Sequence, residues 1–159
     1  TIKVLGTSFN VKAYQGAREI TVAVKTGKVS VYAEPTDFDA HDQKVKEGII
    51  LTPNQQVVYN TVKENFSKKL VDKPQIILDR PTLFEMQYDS TPVNEILKVV
   101  EENYGIDFVF DDAVLSACNL TTSMSEEGFY ERIEIICQAI GAEYEIKDGS
   151  IVITSEGCQ

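Results

Sequence analysis

The sequence predicts an α+β protein of two domains, an all-β first part followed by a mixed second part. Short apolar segments of alternating pattern, with no helical period, fill residues 1–60. Two segments with helical spacing, each ended by a glycine, lie in residues 83–155. Charge also divides the chain, since residues 1–80 carry 12 basic and 9 acidic side chains and residues 81–159 carry 3 and 16. Such asymmetry supports separate domains.

The bulk composition is typical of a globular protein and limits its partners. Of the 159 residues, 43% are hydrophobic and 25% charged. No apolar run reaches the roughly 20 residues that span a bilayer. We expect a fragment of a longer protein, because Thr1 already lies within a strand-like pattern. The acidic second part disfavours nucleic acid and is compatible either with a basic protein partner or with a solvated surface.

Residues 1–60 are predicted to be strands joined by turns. Residues 6–8 are turn-like, and Thr26-Gly27 is typical of a hairpin between strands at 20–25 and 28–32. A polar loop that holds His41 follows, and two further short strands flank Pro53-Asn54. Short strands at even spacing predict a small sandwich or a solenoid-like coil of strands.

A change of composition predicts a linker at residues 61–82. Four lysines cluster there, and Pro74 and Pro81 bracket a possible short strand at residues 76–78. Prolines restrict the backbone, so the linker is expected to be a semi-stiff spacer.

The second domain, residues 83–155, is predicted in the order βαβ-βαβ-β, with both helices on one face of a small sheet. In the first helix Thr91 is the candidate N-cap, Pro92 takes the first helical position and Gly105 ends the helix. Its apolar stripe consists of Val93, Ile96, Leu97 and Val100.

The second helix repeats this plan, with Ser125 as candidate N-cap and Gly141 as its end. An alternating strand follows each of the two glycines, and Asp148-Gly149 predicts a two-residue hairpin before the last strand. Residues 156–159 are expected to form a tail.

The three cysteines show no metal-binding spacing. Cys137 lies on the apolar face of the second helix and is expected to be a buried thiol. A bridge from Cys118 to Cys137 is possible only if the fold brings them together. Cys158 lies in the tail, which is expected to be frayed, so cysteine usage does not decide the compartment.

No catalytic pattern is found, so the chain is not expected to be an enzyme or to bind a cofactor or metal. His41 stands alone in a polar loop and is interpreted as a surface residue. Asp111-Asp112 could bind a cation at a strand end, but turn capping is the favoured interpretation. Glu101 and Glu102 are adjacent on a helix and point in different directions.

Several segments together form a pattern of a known family. In the first part they are residues 4–11 (VLGTSFNV), 21–24 (TVAV), 27–31 (GKVSV) and 51–56 (LTPNQQ). These resemble the region of FecR anti-sigma regulators just outside the inner membrane. The second part is similar to the C-terminal domain of Bacteroidetes-type FecR proteins, itself similar to the secretin and TonB short N-terminal domain. That similarity rests on residues 91–97 (TPVNEIL), 104–106 (YGI) and 148–153 (DGSIVI).

The resemblance implies the periplasmic sensor of a transmembrane anti-sigma protein. Its partner would be the N-terminal signalling domain of a TonB-dependent outer-membrane transporter, and its message would reach an extracytoplasmic-function sigma factor through a cytoplasmic part that these residues do not include. Two edges of the sheet are candidates for pairing with this partner. Their residues are Leu83, Glu85 and Gln87 on one edge, and Ile151, Val152 and Ile153 on the other. The alternative is a structural module of an envelope assembly, related to secretin N-domains.

Overall fold

The computed structural model describes residues 1–33, 48–78 and 86–158. His41 and the predicted partner-binding residues Leu83 and Glu85 lie outside the described residues. Within the described ranges the chain forms ten strands and three helices, which confirms the α+β class. The strands of the first part are β1 (Ile2–Lys12), β2 (Glu19–Val31), β3 (Ile49–Leu51), β4 (Gln55–Asn60) and β5 (Asn65–Leu70). The later elements are β6 (Gln87–Pro92), α1 (Val93–Tyr104), β7 (Phe108–Val109), α2 (Asp112–Ser116), β8 (Asn119–Ser123), α3 (Phe129–Ile140), β9 (Glu143–Lys147) and β10 (Ser150–Thr154).

The first five strands form one antiparallel sheet in the order β1-β2-β4-β5, with β3 also paired to β2. The sequence predicted a sandwich or a solenoid-like coil, whereas the described strands belong to this single sheet. We call this sheet and its core the first lobe. Its apolar core consists of six buried side chains, Val22, Val24, Val29, Val31, Leu51 and Val57.

The predicted hairpin at Thr26-Gly27 was wrong, because β2 continues through both residues without reversing. The predicted turn at residues 6–8 was wrong for the same reason, since β1 is also continuous. Instead, Gly27 has a φ of 78° and the register of β1 against β2 shifts between Leu5 and Phe9. A bulge changes the alternation of side chains by one residue. The valines on both sides of the bulge therefore enter the same core.

Part of the predicted linker belongs to the first lobe. Residues 65–70 form β5, which pairs with β4 from Asn60↔Asn65 to Gln55↔Leu70. Two lysines in this strand conceal its strand pattern in the sequence. No strand forms at the predicted residues 76–78, where the Ile77 N–H instead donates to the Asn103 carbonyl at 2.8 Å.

Residues 86–158 form the second lobe, whose strands make two sheets. β10 lies between β7, to which it is parallel, and β9, to which it is antiparallel. Among the described strands β6 pairs only with β8, so the prediction of one small sheet was wrong. A bulge in β6, where Ser90 has a φ of 45°, twists this pair and favours a separate ribbon. The element order matches the predicted βαβ-βαβ-β, with α2 added between β7 and β8.

Both helix ends were predicted correctly. Gly105 and Gly141 follow α1 and α3 in the left-handed conformation, with φ of 64° and 66°. The strand after α1 alternates as expected, since Ile106 and Phe108 are buried and Asp107 between them is exposed. A helical pattern followed by a glycine and an alternating segment therefore predicts both the end of α1 and the strand after it.

Both predicted N-caps were wrong. Thr91 lies in β6, and α1 begins after Pro92, whose side chain has no capping group. Ser125 precedes the start of α3 by several residues, and Gly128 is the residue before that helix. There the Glu131 carboxylate accepts the Gly128 N–H at 3.2 Å, so a side chain within α3 satisfies its N-terminus.

The second lobe has the larger core, and it also buries the polar side chains Asn94, Asn103 and Arg132. Arg132 of α3 is only 3% exposed. Its guanidinium donates to the carbonyls of Met124 and Ser125 at 2.9 and 3.4 Å and to the Tyr104 hydroxyl at 2.7 Å. Leu70 of β5 also packs into this core, so the two lobes share an apolar contact. None of the described helices is long and apolar enough to cross a membrane.

Candidate functional site

The predicted partner-binding residues of the last strand do not lie at a free edge. β10 has β7 on one side and β9 on the other. Ile151 and Ile153 are buried in the core, and Val152 is half-buried. The expectation of an edge here was wrong, because the hairpin signal identifies β9 as a neighbour but cannot show that β7 pairs on the other side.

Gln87 lies on β6, which has one neighbour among the described strands. The Met124 N–H donates to the Met86 carbonyl at 2.8 Å, one residue before the pair Gln87↔Ser123. Because antiparallel pairs alternate, the backbone groups of Gln87 point away from β8. Gln87 is exposed at an edge, as predicted. That it contacts a partner stays a prediction.

The outer side of β7 is already occupied. The Phe108 N–H donates to the Glu101 carboxylate at 2.7 Å. This carboxylate takes the position of a neighbouring strand, so β7 offers no free donor at Phe108 for pairing. The sequence showed only that Glu101 and Glu102 diverge, and nothing in it pointed to this contact.

The outer side of β9 is an open edge, in that it pairs with no strand among the described residues; β5 of the first lobe lies near β9. The Ile151 N–H donates to the Asp107 carbonyl at 2.9 Å, so the backbone groups of Ile151 face β7 rather than β9. Its partner in the antiparallel register is Ile146, and Tyr144 is two residues away. By alternation, the N–H and C=O groups of these two residues point outward. They have no hydrogen-bond partner among the described residues, and the Ile146 side chain is 47% exposed.

The surroundings of this open edge are acidic. Glu143 and Glu145 are exposed on β9, and Lys147 lies 3.6 Å from the Glu145 carboxylate. Tyr144 is half-buried, and burial raises its pKa, as does the negative charge of Glu134 on α3. An extended segment with basic side chains would complement this edge. Sequence reasoning missed it because β9 was read only as the alternating strand that follows a helix.

The basic residues of the second lobe do not balance its acids. Arg132 is buried, Lys147 lies beside Glu145, and Lys98 donates to Asp112 at 2.9 Å. These are the three basic residues of the range 86–158. The exposed surface of this lobe is therefore strongly acidic.

The paired aspartates are accounted for by local structure. Asp111 is the N-cap of α2 and accepts the Val114 N–H at 3.2 Å, which confirms the capping interpretation. Asp112 accepts hydrogen bonds from Lys98 and Asn94. Both bonds lower the pKa of its carboxyl group, and the bond from Lys98 has the larger effect. In the described ranges, histidine, cysteine and acidic side chains form no group of three or more that could hold a metal.

Cys118 and Cys158 form a disulfide that joins the start of β8 to the C-terminal segment. The pairing of Cys118 with Cys137, left open by the sequence, does not occur. Cys158 was wrongly expected to lie in a frayed tail, because the sequence cannot show that residues 40 positions apart meet. Cys137 is a free, buried thiol as predicted, and burial raises its pKa to about 11.

The second lobe thus combines a small α+β fold, an open acidic strand edge and carboxylates engaged in structural contacts. Residues 85–153 match the family model described as FecR, C-terminal. This part of the chain is thus similar to the FecR C-terminal domain, which confirms the resemblance.

Two crystal structures of a protein from Parabacteroides distasonis ATCC 8503, proposed to be an anti-sigma factor, are similar to the chain. Their resolutions are 2.50 and 1.65 Å. Both are 25% identical in sequence with a TM-score of 0.43, and the match covers 98% of this chain and 67% and 68% of theirs. None of the curated proteins matches the chain.

Proposed function

We propose that the chain is the sensor portion of a transmembrane anti-sigma regulator and performs no reaction. It binds the N-terminal signalling domain of a TonB-dependent outer-membrane transporter, and the signal passes to an extracytoplasmic-function sigma factor. The FecR C-terminal match over residues 85–153 supports this role. The order of elements in the second lobe supports a fold related to the secretin and TonB short N-terminal domain.

The open edge of β9 is the observation that carries the proposed binding. A partner strand pairs with the outward backbone groups of Tyr144 and Ile146 and covers the exposed Ile146 side chain. Basic side chains at alternate positions of that strand lie beside Glu143 and Glu145. Gln87 on β6 provides the second proposed edge.

The disulfide supports a periplasmic location. Cys118 and Cys158 are paired, and such bonds persist in oxidising compartments such as the bacterial periplasm and are rare in the cytosol. The second lobe is thus expected outside the inner membrane, where a transporter domain can reach it.

The strand-pairing step is tested with Ile146→Pro. The Ile146 N–H points away from β10, so proline removes an outward donor and leaves the β9–β10 ladder intact. Calorimetric titration with the purified signalling domain should show at least about tenfold weaker binding, equal to about 1.4 kcal/mol. Unchanged affinity in a folded variant would exclude this edge. Val152→Pro is unsuitable, because Val152 bonds to β9 in the central strand and its loss damages the fold.

The charge contribution is tested with Glu143→Lys combined with Glu145→Lys. Glu95→Lys with Glu102→Lys, exposed on α1, makes the same change in net charge away from β9 and serves as the matched control. We expect only the β9 pair to weaken binding, with an effect that decreases as salt is added. Equal losses in both pairs would contradict a local contact. Light scattering of the free protein completes the test, since a salt-sensitive oligomer would favour the envelope-assembly alternative.

A further inference from the structure

Asn54, in the turn between β3 and β4, makes an unusual number of contacts outside its own strand pair. It is 5% exposed and has a φ of 65°. Its amide nitrogen donates to the carbonyls of Tyr104 and Gln75 at 2.7 and 2.9 Å. Its amide oxygen accepts the Gln75 N–H at 2.9 Å. One side chain of the first lobe thus bonds both the connecting segment and the end of α1 in the second lobe.

The backbone of Asn54 is held as firmly as its side chain. Its N–H donates to the Val24 carbonyl at 3.1 Å, and its carbonyl accepts the Val71 N–H at 2.9 Å. Both groups tie the turn to the first lobe. These two backbone bonds therefore fix the position from which the Asn54 side chain contacts the second lobe.

Gln55 makes a second connection beside the first. It is 4% exposed, and its amide nitrogen donates to the Gly149 carbonyl in the β9–β10 turn at 3.1 Å. Its amide oxygen accepts the Thr52 N–H at 3.0 Å, which fixes the orientation of the amide. A third bond runs from the Tyr130 hydroxyl to the Val71 carbonyl at 3.1 Å.

The bonds to α1 satisfy groups that a helix cannot satisfy itself. The last four carbonyls of a helix lack an intrahelical donor. Here Asn54 donates to Tyr104, the last residue of α1, and the Ile77 N–H donates to Asn103. Separation of the lobes would break the bond between Asn54 and Tyr104 and expose both groups to water, so this bond favours the joined arrangement.

We propose that Asn54 and Gln55 are positioning residues that hold the two lobes in one orientation, so that a partner bound to the second lobe displaces the first lobe with it. The turn at residues 52–55 (TPNQ), which carries both side chains, then couples the motion of the two lobes. This inference goes beyond the proposed function and does not depend on which partner binds.

Residual dipolar couplings of backbone amides test the proposal on the whole chain. In the wild-type protein one alignment tensor should fit both lobes. Asn54→Gly keeps the left-handed backbone without strain and removes the three side-chain bonds. In this variant we expect the common tensor to be lost and the amides of Gln75 and Ile77 to lose hydrogen-exchange protection. Glu64→Gly, also at positive φ but in the exposed β4–β5 turn, is the matched control.

Each outcome decides the proposal. Separate tensors in Asn54→Gly and one tensor in Glu64→Gly support it. A single tensor in Asn54→Gly, or two tensors in the wild type, overturns it. Should Asn54→Gly unfold, Gln55→Ala decides in the same way, because it removes the bond to Gly149 and keeps the Asn54 side chain; it also removes the acceptor of the Thr52 N–H within the turn.

Discussion

The two glycines that end α1 and α3 offer a controlled comparison of backbone strain and packing. Both follow helices of twelve residues and have nearly the same φ, 64° at Gly105 and 66° at Gly141. A Cβ atom at Gly141 would meet no atom of the described residues within 4 Å. At Gly105 it would lie 2.7 Å from the Cδ1 atom of Ile77 in the connecting segment. Substitution by alanine therefore tests the left-handed backbone conformation alone at Gly141. At Gly105 it tests that conformation together with the contact to Ile77.

The expected losses follow from these two terms. An L-residue in the left-handed conformation costs roughly 1–2 kcal/mol, and both variants share this cost. Only Gly105→Ala must also move Ile77 from its preferred rotamer, which costs about 0.5–1.5 kcal/mol. The free energy of unfolding should therefore fall by about 1–2 kcal/mol in Gly141→Ala and by about 1 kcal/mol more in Gly105→Ala.

Urea denaturation followed by circular dichroism measures both losses, with constant m-values as a check on two-state behaviour. Repeating the pair in an Ile77→Ala background removes the contact, so the two glycine variants should then lose equal stability. Equal losses in the wild-type background, or an excess for Gly105→Ala that survives Ile77→Ala, would refute the reasoning.

Three further predictions concern stability. Reduction of the Cys118–Cys158 disulfide, which closes a loop of 40 residues, should lower the free energy of unfolding by about 4 kcal/mol, measured in urea with and without dithiothreitol. Because burial raises the pKa of the Cys137 thiol from 9.0 to about 11, the unfolded state releases its proton first, and stability should fall as pH rises through this interval. Cys137→Ala should reduce that slope, and an unchanged slope would contradict the assignment. Arg132→Met leaves three acceptors without their donor and should cost about 1–3 kcal/mol, so wild-type stability in this variant would show that the buried guanidinium is not stabilising.

The parts of the fold that the sequence predicts correctly depend on local rules. Helical spacing of apolar residues and a terminal glycine define α1 and α3, and Asp148-Gly149 defines the last hairpin, with φ of 51° and 78°. Each of these signals lies within a few residues of the feature it predicts.

The errors concern features that depend on distant residues. Thr26-Gly27 has the composition of a hairpin turn, but pairing with β1 on one side and with β3 and β4 on the other holds β2 extended through a bulge. Thr91 was expected to cap a helix, but pairing with Leu120 on β8 keeps it in a strand. In both cases a tertiary partner overrides the local preference.

The candidate binding edge also depends on distant residues, which the local sequence pattern does not show. Its position at the end of the domain predicts an edge for the last strand, yet parallel pairing with β7 at Phe108 and Val109 makes it central. That pairing in turn leaves β9 at the edge, while the Glu101 carboxylate closes the opposite side. Because an edge is defined by the strand that is absent beside it, the whole sheet order must be known before any one strand can be assigned to a partner.

The turn at residues 52–55 (TPNQ) shows how a local motif acquires a role at long range. Pro53 and Asn54 are ordinary turn residues, and the sequence indicates no more than that. The positive φ of Asn54 directs its amide away from the first sheet, where it takes the place of a missing donor at the end of α1. A serine or aspartate could also form a turn, but neither carries the amide that donates two bonds and accepts one. The need for asparagine at this position therefore comes from the connecting segment and from the end of α1, 21 and 50 residues further along the chain.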